Sequence, residues 1–264
     1  MKLSQANRTT LIAIAGFLLT PMFYRGAVAQ TKSPQEVRNI VIVHGAWADG
    51  SSWSKVIPLL QAKGLHVVAV QNPLTSLADD VAATKRAIAL QDGPVLLVGH
   101  SYGGVVITEA GNDPKVVGLV HVAALAPSDG GSVASVTKPF PPAPLGGEVR
   151  ADAQGFLTVT PQGIAEDFAQ DLPAEEKQLL TATQGPTAAA VLGATITTAA
   201  WRTKPSWSVI AGNDRAVPPE LQKAEAAAMK ATSIAVPSSH VPMLSHPKAI
   251  ADLIEQAAAK AGSQ

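Results

Sequence analysis

The sequence contains no cysteine. That excludes a thiolate nucleophile, a thiolate metal site and any disulfide, and it leaves the redox compartment open. Charge of one sign is equally lacking: 20 Lys and Arg face 20 Asp and Glu. With no basic excess, nothing favours nucleic-acid binding, which rests on clustered Lys and Arg neutralising phosphates. H-E-x-x-H, the P-loop and the dinucleotide G-x-G-x-x-G are all missing, so no metal and no cofactor is implied. No internal repeat is visible. The apolar run near the start, LIAIAGFLL over residues 11–19, is also too short to cross a bilayer, because a spanning helix needs ~20 residues.

That run has another reading. Lys2 and Arg8 precede it without an acid, and Ala27-Val28-Ala29 follows as a small-x-small cleavage site. Basic head, short apolar stretch and small-residue site together define a removable export signal. Residues 1–29 are therefore expected to be a signal peptide, with Gln30 as the first mature residue. The expected product is periplasmic or secreted, with no stable membrane span after processing.

What remains, residues 30–264, reads as one large α/β domain. Ile40-Val41-Ile42-Val43 is apolar and β-branched, as a strand buried on both faces should be. A helical pattern follows over residues 51–63 and ends at Gly64. Strand-like and helix-like segments then alternate: 66–70, 77–91, 95–98, 102–110 and 116–122. This order implies right-handed crossovers and a mostly parallel, doubly wound sheet.

The rhythm stops over residues 127–203, which are rich in Pro and Gly, with PFPPAPLGG at 139–147. Helices are expected there over 162–170 and 174–183. A structureless loop of that length is foreign to compact domains, so the segment reads as an inserted, partly helical lid. Its apolar residues Phe140, Phe156, Leu157, Phe168, Leu172, Leu179, Leu180, Val191 and Leu192 are expected to form mostly the lid's own core. The alternation resumes with 207–210, 219–230, 233–236 and a closing helix over 247–260. The core is thus residues 39–126 and 204–260.

Gly99-His100-Ser101-Tyr102-Gly103 fits G-x-S-x-G and stands between a predicted strand and a predicted helix. That setting is what makes the motif a nucleophile elbow. The glycines let strand and helix pack closely, and the hydroxyl of Ser101 projects above the sheet beside the N–H donors of the helix start.

A serine hydroxyl needs a base. Of six histidines, His66 and His121 lie within strand patterns and are expected to be structural. His44 is expected to organise its loop, and His100, adjacent to the serine, to point to the other side of the turn. His246 precedes Pro247 and suits a cap or surface role. His240 follows the last strand and is the expected base. Asp214, after the preceding strand, is its expected orienting acid; Asp129 is the rival. Attack on a carbonyl also needs N–H donors for the oxyanion. These are expected from Tyr102, directly after the nucleophile, and from Ala46 in the loop after the first strand. Gly45 is expected to give the substrate room there, and Trp47 to stand near the pocket mouth.

With HGAW at 44–47, GHSYGG at 99–104, GNDRAVPPELQ at 212–222 and SSHVPMLSHP at 238–247, the chain resembles the α/β-hydrolase superfamily. It is most similar to the small esterase branch that also holds plant methyl esterases and hydroxynitrile lyases. The likeness runs from about residue 39 to 259 and is weakest through the lid. It implies the α/β-hydrolase fold, without the two opening antiparallel strands of larger members. It also implies ester hydrolysis of a small, mostly apolar molecule. Lyases of the branch typically carry Thr at the position of Gly45 and Lys at that of Val241, so both positions favour hydrolysis over cyanohydrin cleavage. Lactonase activity, and a non-enzymatic binding role of the kind some hormone receptors of the family have, remain the alternatives.

Overall fold

The computed structural model describes residues 36–262; the expected signal peptide lies outside them. From Asn39 the chain alternates strand and helix. It runs through β1 (Asn39–Val43), α1 (Ile57–Gln61), β2 (His66–Val70), α2 (Leu77–Ala89), β3 (Val95–His100), α3 (Gly103–Ala110) and β4 (Val116–Val122). An insertion follows, with α4 (Val133–Thr137), β5 (Val149–Ala151), β6 (Phe156–Val159), α5 (Pro161–Gly163), α6 (Ala174–Thr183), β7 (Thr187–Ala188) and α7 (Ala190–Gly193). The alternation then resumes with β8 (Ser206–Ala211), α8 (Pro219–Ala228), β9 (Thr232–Val236), α9 (Pro242–Ser245) and α10 (Pro247–Ala261).

The core sheet has six strands in the order β2-β1-β3-β4-β8-β9. Every pairing in it is parallel. This is the α/β-hydrolase fold, a doubly wound sheet covered on both faces. The strand sequences explain the covering. Ile40 and Ile42 pack with Leu96, Val98 and α10 on one face, while Val41 and Val43 pack with Leu97, α2 and α3 on the other. Such strands read as continuous apolar runs because neither face meets water. Strand order reverses direction between β1 and β3, and in open α/β sheets the crevice beyond such strand ends is where ligands bind.

Local chemistry changed two expected helices. The helix expected over 51–63 is divided into a 3-10 turn over Gly50–Trp53, capped by Asp49, and α1. Pro58 has no N–H to donate and is tolerated only in a first turn, so the helix restarts there. The helix expected over 162–170 is α5, begun by Pro161, running into a π turn over Ile164–Phe168. The insertion also holds a three-stranded antiparallel sheet, β5-β6-β7, which the sequence pattern did not suggest. Strands of two to four residues are too short to display a period of two. Among the described residues, no helix is long and apolar enough to cross a membrane.

Candidate active site

Ser101 stands between β3 and α3 with φ 53°, in the left-handed region. A residue with a Cβ is held there at a cost of about 1–3 kcal/mol, so the surroundings must enforce it. The elbow's glycines do so by contact. A Cβ on Gly99 would lie 2.5 Å from the Gly103 carbonyl oxygen, and one on Gly103 would lie 2.5 Å from that of Val43. Only glycine lets β1, β3 and α3 approach this closely. The turn aims the Ser101 hydroxyl at the loop after β9, where it lies 2.8 Å from Nε2 of His240.

The other ring nitrogen of His240, Nδ1, is 2.7 Å from Oδ2 of Asp214, in the turn after β8. Both side chains are buried. Asp214 is held by its own neighbours: the N–H groups of Ala216 and Val217 donate to Oδ1, and the amide of Gln222 donates to Oδ2. A carboxylate so bonded can only accept, so Nδ1 of His240 carries the proton and Nε2 offers its lone pair to the serine. Such a relay can deprotonate Ser101 as it attacks a carbonyl. The rival acid, Asp129, is engaged elsewhere, by the Ala199 N–H and the Arg202 guanidinium.

His100 differs from expectation. Its ring does not turn away but lies 4.7 Å from the His240 ring, centroid to centroid. Its Nε2–H donates to the His240 backbone carbonyl at 2.8 Å. Burial, reinforced by the neighbouring His240, holds its pKa well below the ordinary value, so it braces the base loop as a neutral ring. From the insertion, Phe168 meets His240 edge-on at 5.0 Å, and Asp171 accepts from the Ser239 N–H.

The remaining histidines lie outside this relay. His44 donates to the Gly45 carbonyl and accepts from the Asn72 N–H, tying the loop after β1 to the loop after β2. His66, on the edge strand β2, contacts Gln91 in the turn after α2. Burial pushes His121 down to about 3. His246, next to Ser245, sits at the start of α10.

Ala46, Trp47, Ser101, Tyr102 and His240 all line one cavity of about 590 Å³. The backbone N–H groups of Ala46 and Tyr102 have no hydrogen-bond partner among the described residues. Gly45 does not line the cavity. A Cβ there would lie 2.7 Å from that of Ser101, so its lack of a side chain makes room for the elbow rather than for substrate. Trp47 does line the cavity, again with a left-handed φ, 54°. Phe140, Leu157 and Leu192 from the insertion join the cavity wall. Phe168, Leu172, Leu180 and Val191 are buried in the core, and Leu179 is exposed.

Two supporting residues escaped the sequence reading. Gln222 braces Asp214, as described. Asp80, fully buried on α2, accepts from the Tyr102 hydroxyl and from the Leu74 N–H. Burial raises the Asp80 carboxyl above its ordinary pKa, opposed in part by those two bonds. In the sequence, Asp80 is indistinguishable from Asp79, which accepts from the Thr75 and Ser76 hydroxyls at the start of α2.

A buried serine–histidine–aspartate relay at the carboxyl edge of this sheet is the hallmark of a class of hydrolytic folds. A model of the alpha/beta hydrolase family matches residues 40–253. The chain belongs to that family. It is similar to a carbendazim hydrolyzing esterase from Nocardioides sp., with 34% identity over 121 residues, 39% of this chain and 49% of that one. The match thus spans about half of that relative's length. It is also similar to the alpha/beta hydrolase nvfD of Aspergillus novofumigatus, 25% identical over 244 residues, 84% of this chain and 97% of that one. Among solved structures, a pyrethroid hydrolase from Sphingobium faniae superposes with TM-score 0.72 at 21% identity, over 84% of this chain and 97% of that one. Polyneuridine aldehyde esterase superposes with TM-score 0.72 at 19% identity, over 84% and 99%. At these identities the structural likeness is one of fold.

Proposed function

We propose that the protein is a carboxylesterase-type serine hydrolase that cleaves esters of small, mostly apolar molecules. The observation that carries this reading is the relay itself. The Ser101 hydroxyl is 2.8 Å from a histidine whose far nitrogen is 2.7 Å from a buried carboxylate, and it opens into an apolar cavity of about 590 Å³. The names of relatives, a carbendazim hydrolyzing esterase and a pyrethroid hydrolase among them, agree with ester cleavage.

In this mechanism His240 takes the Ser101 proton as Oγ bonds to the ester carbonyl carbon. The oxyanion rests on the Ala46 and Tyr102 N–H groups, each such donor contributing about 3 kcal/mol. His240 then gives the proton to the departing alkoxide, leaving an acyl group on Ser101. A water that His240 deprotonates attacks this acyl-enzyme, and the released serine recovers its proton. Asp214 keeps the imidazole in the required tautomer and stabilises its charged form. We also propose that the chain is exported and matures at Gln30, on the strength of the basic head, apolar run and Ala27-Val28-Ala29 site.

An activity panel of simple esters, lactones, amides and cyanohydrins, with the Ser101→Ala protein as blank, tests the function. Esters are expected to be cleaved fastest. Faster lactone cleavage would move the substrate class, and faster cyanohydrin cleavage would overturn hydrolysis in favour of a lyase. No turnover at all would leave a binding protein.

A further inference from the structure

We infer that the inserted segment shapes the oxyanion hole, and that Thr187 is a positioning residue for the reaction proposed above, on which this inference rests. It starts from Trp47. This residue follows the donor Ala46 directly, and its left-handed φ of 54° sets the path of the loop on which that donor sits. A bulky side chain adopts that conformation only where its surroundings impose it.

The constraint comes from the insertion. The Trp47 backbone N–H donates to Oγ1 of Thr187 at 3.2 Å, and its indole Nε1–H donates to the Leu157 carbonyl at 3.0 Å. Leu157 and Thr187 face one another in the register of β6 and β7. One rung of the small antiparallel sheet therefore grips Trp47 at its backbone and at its side chain. Thr187 is fully buried and does not line the cavity, so it acts on the loop and not on substrate.

The next residue on the same strand reaches toward the second donor. The Ala188 N–H donates to the Leu74 carbonyl at 2.8 Å. The Leu74 N–H donates to Oδ1 of Asp80, and the Tyr102 hydroxyl donates to Oδ2 of the same carboxyl, both at 2.8 Å. Thr187 and Ala188 thus stand at the junction of two chains of hydrogen bonds, one ending beside Ala46 and the other on Tyr102. The insertion is a structural part of the hole and not merely a cover over it. Donors fixed before substrate arrives act on the transition state more than on the ground state, so weakening this junction should lower kcat and leave KM nearly alone.

The test compares Thr187→Val, which keeps the shape and removes the acceptor, with Thr187→Ser, which keeps it. Each is assayed on one activated ester and against phenylboronic acid. In the boronate complex, Ser101 Oγ bonds to boron, its proton passes to His240, and a boron-bound oxygen takes the oxyanion position. For Thr187→Val, kcat is expected to fall ~10- to 100-fold, part of the effect of deleting a whole donor. KM should change little, and boronate inhibition should weaken in parallel with kcat. Thr187→Ser should recover most of both losses. An unchanged kcat in Thr187→Val, a kcat loss without loss of boronate affinity, or no recovery by serine would each overturn the inference. If the valine variant does not fold, Trp47→Phe removes the bond to Leu157 and keeps the backbone bond to Thr187, with a smaller ring left on the cavity wall. It should show the same parallel loss, and unchanged kcat and boronate affinity would overturn the inference equally. A wild type without Ser101-dependent ester turnover would defeat the esterase reading and this inference together. An active wild type with an unaffected valine variant would defeat the positioning alone.

Discussion

Asp214 separates an orienting carboxylate from a merely structural one. It receives bonds from His240, Gln222, Ala216 and Val217 and is buried. Asp214→Asn should preserve the turn but lose the charge that stabilises imidazolium, lowering kcat by ~10⁴. Asp129→Asn should change kcat little, because among the described residues the Asp129 side chain bonds to the insertion's Ala199 and Arg202. The opposite ranking in steady-state assays would move the acid to Asp129. Gly45 offers a second test. An added Cβ would meet Ser101 Cβ at 2.7 Å and the His100 carbonyl at 3.1 Å. Gly45→Ala should therefore displace the elbow and lower kcat by ~10- to 100-fold, the scale of a small misplacement of reacting groups. A fully active, equally stable alanine variant would contradict this packing. The sequence pointed to Ser101 and His240 through motif and chain order and left Asp214 with Asp129 as rival; the structure brings Ser101, His240 and Asp214 within hydrogen-bond distance. The roles of His100, Gln222 and Asp80 were not legible there, because each acts on an atom that only the folded chain brings near.

At the scale of elements, the core strands and the inserted helix α6 were readable and the insertion's small sheet was not, for one reason. Strands buried on both faces announce themselves as apolar runs such as Ile40-Val41-Ile42-Val43. The rungs of β5, β6 and β7 consist of Val149, Phe156, Thr187 and a few neighbours, with no periodicity to detect. Helix α8 carries a feature with a pH signature. Glu225 is buried there and neither carboxyl oxygen has a hydrogen bond of good geometry. Burial pushes its pKa up to about 8 from the ordinary 4.5, against a smaller opposing pull from the Ala126 backbone. The folded protein thus keeps this carboxyl protonated where the unfolded chain has ionised it. Its contribution is fully present below pH 4.5 and is lost as pH rises to about 8, a change on the order of a few kcal/mol. Denaturant midpoints measured from pH 5 to 9 should fall more steeply for the wild type than for Glu225→Gln. Parallel curves would mean that Glu225 ionises freely in the folded state.

Across the whole molecule, the parts converge at one edge of the sheet. The loop after β1 bears Ala46, the end of β3 bears Ser101, and the turns after β8 and β9 bear Asp214 and His240. The insertion between β4 and β8 closes over them with Phe140, Leu157 and Leu192. The proposed export belongs to this scale too: N-terminal sequencing of the active protein should begin at Gln30, and active cytosolic protein retaining Met1 would contradict it. The chemistry itself is tested by rapid mixing with an activated ester, followed by acid quenching and mass spectrometry. Where deacylation is the slower step, a burst of alcohol equal to the active enzyme should accompany an acyl group attached to Ser101. The Ser101→Ala protein should show neither. An adduct on another residue, or full turnover by Ser101→Ala, would contradict the serine mechanism.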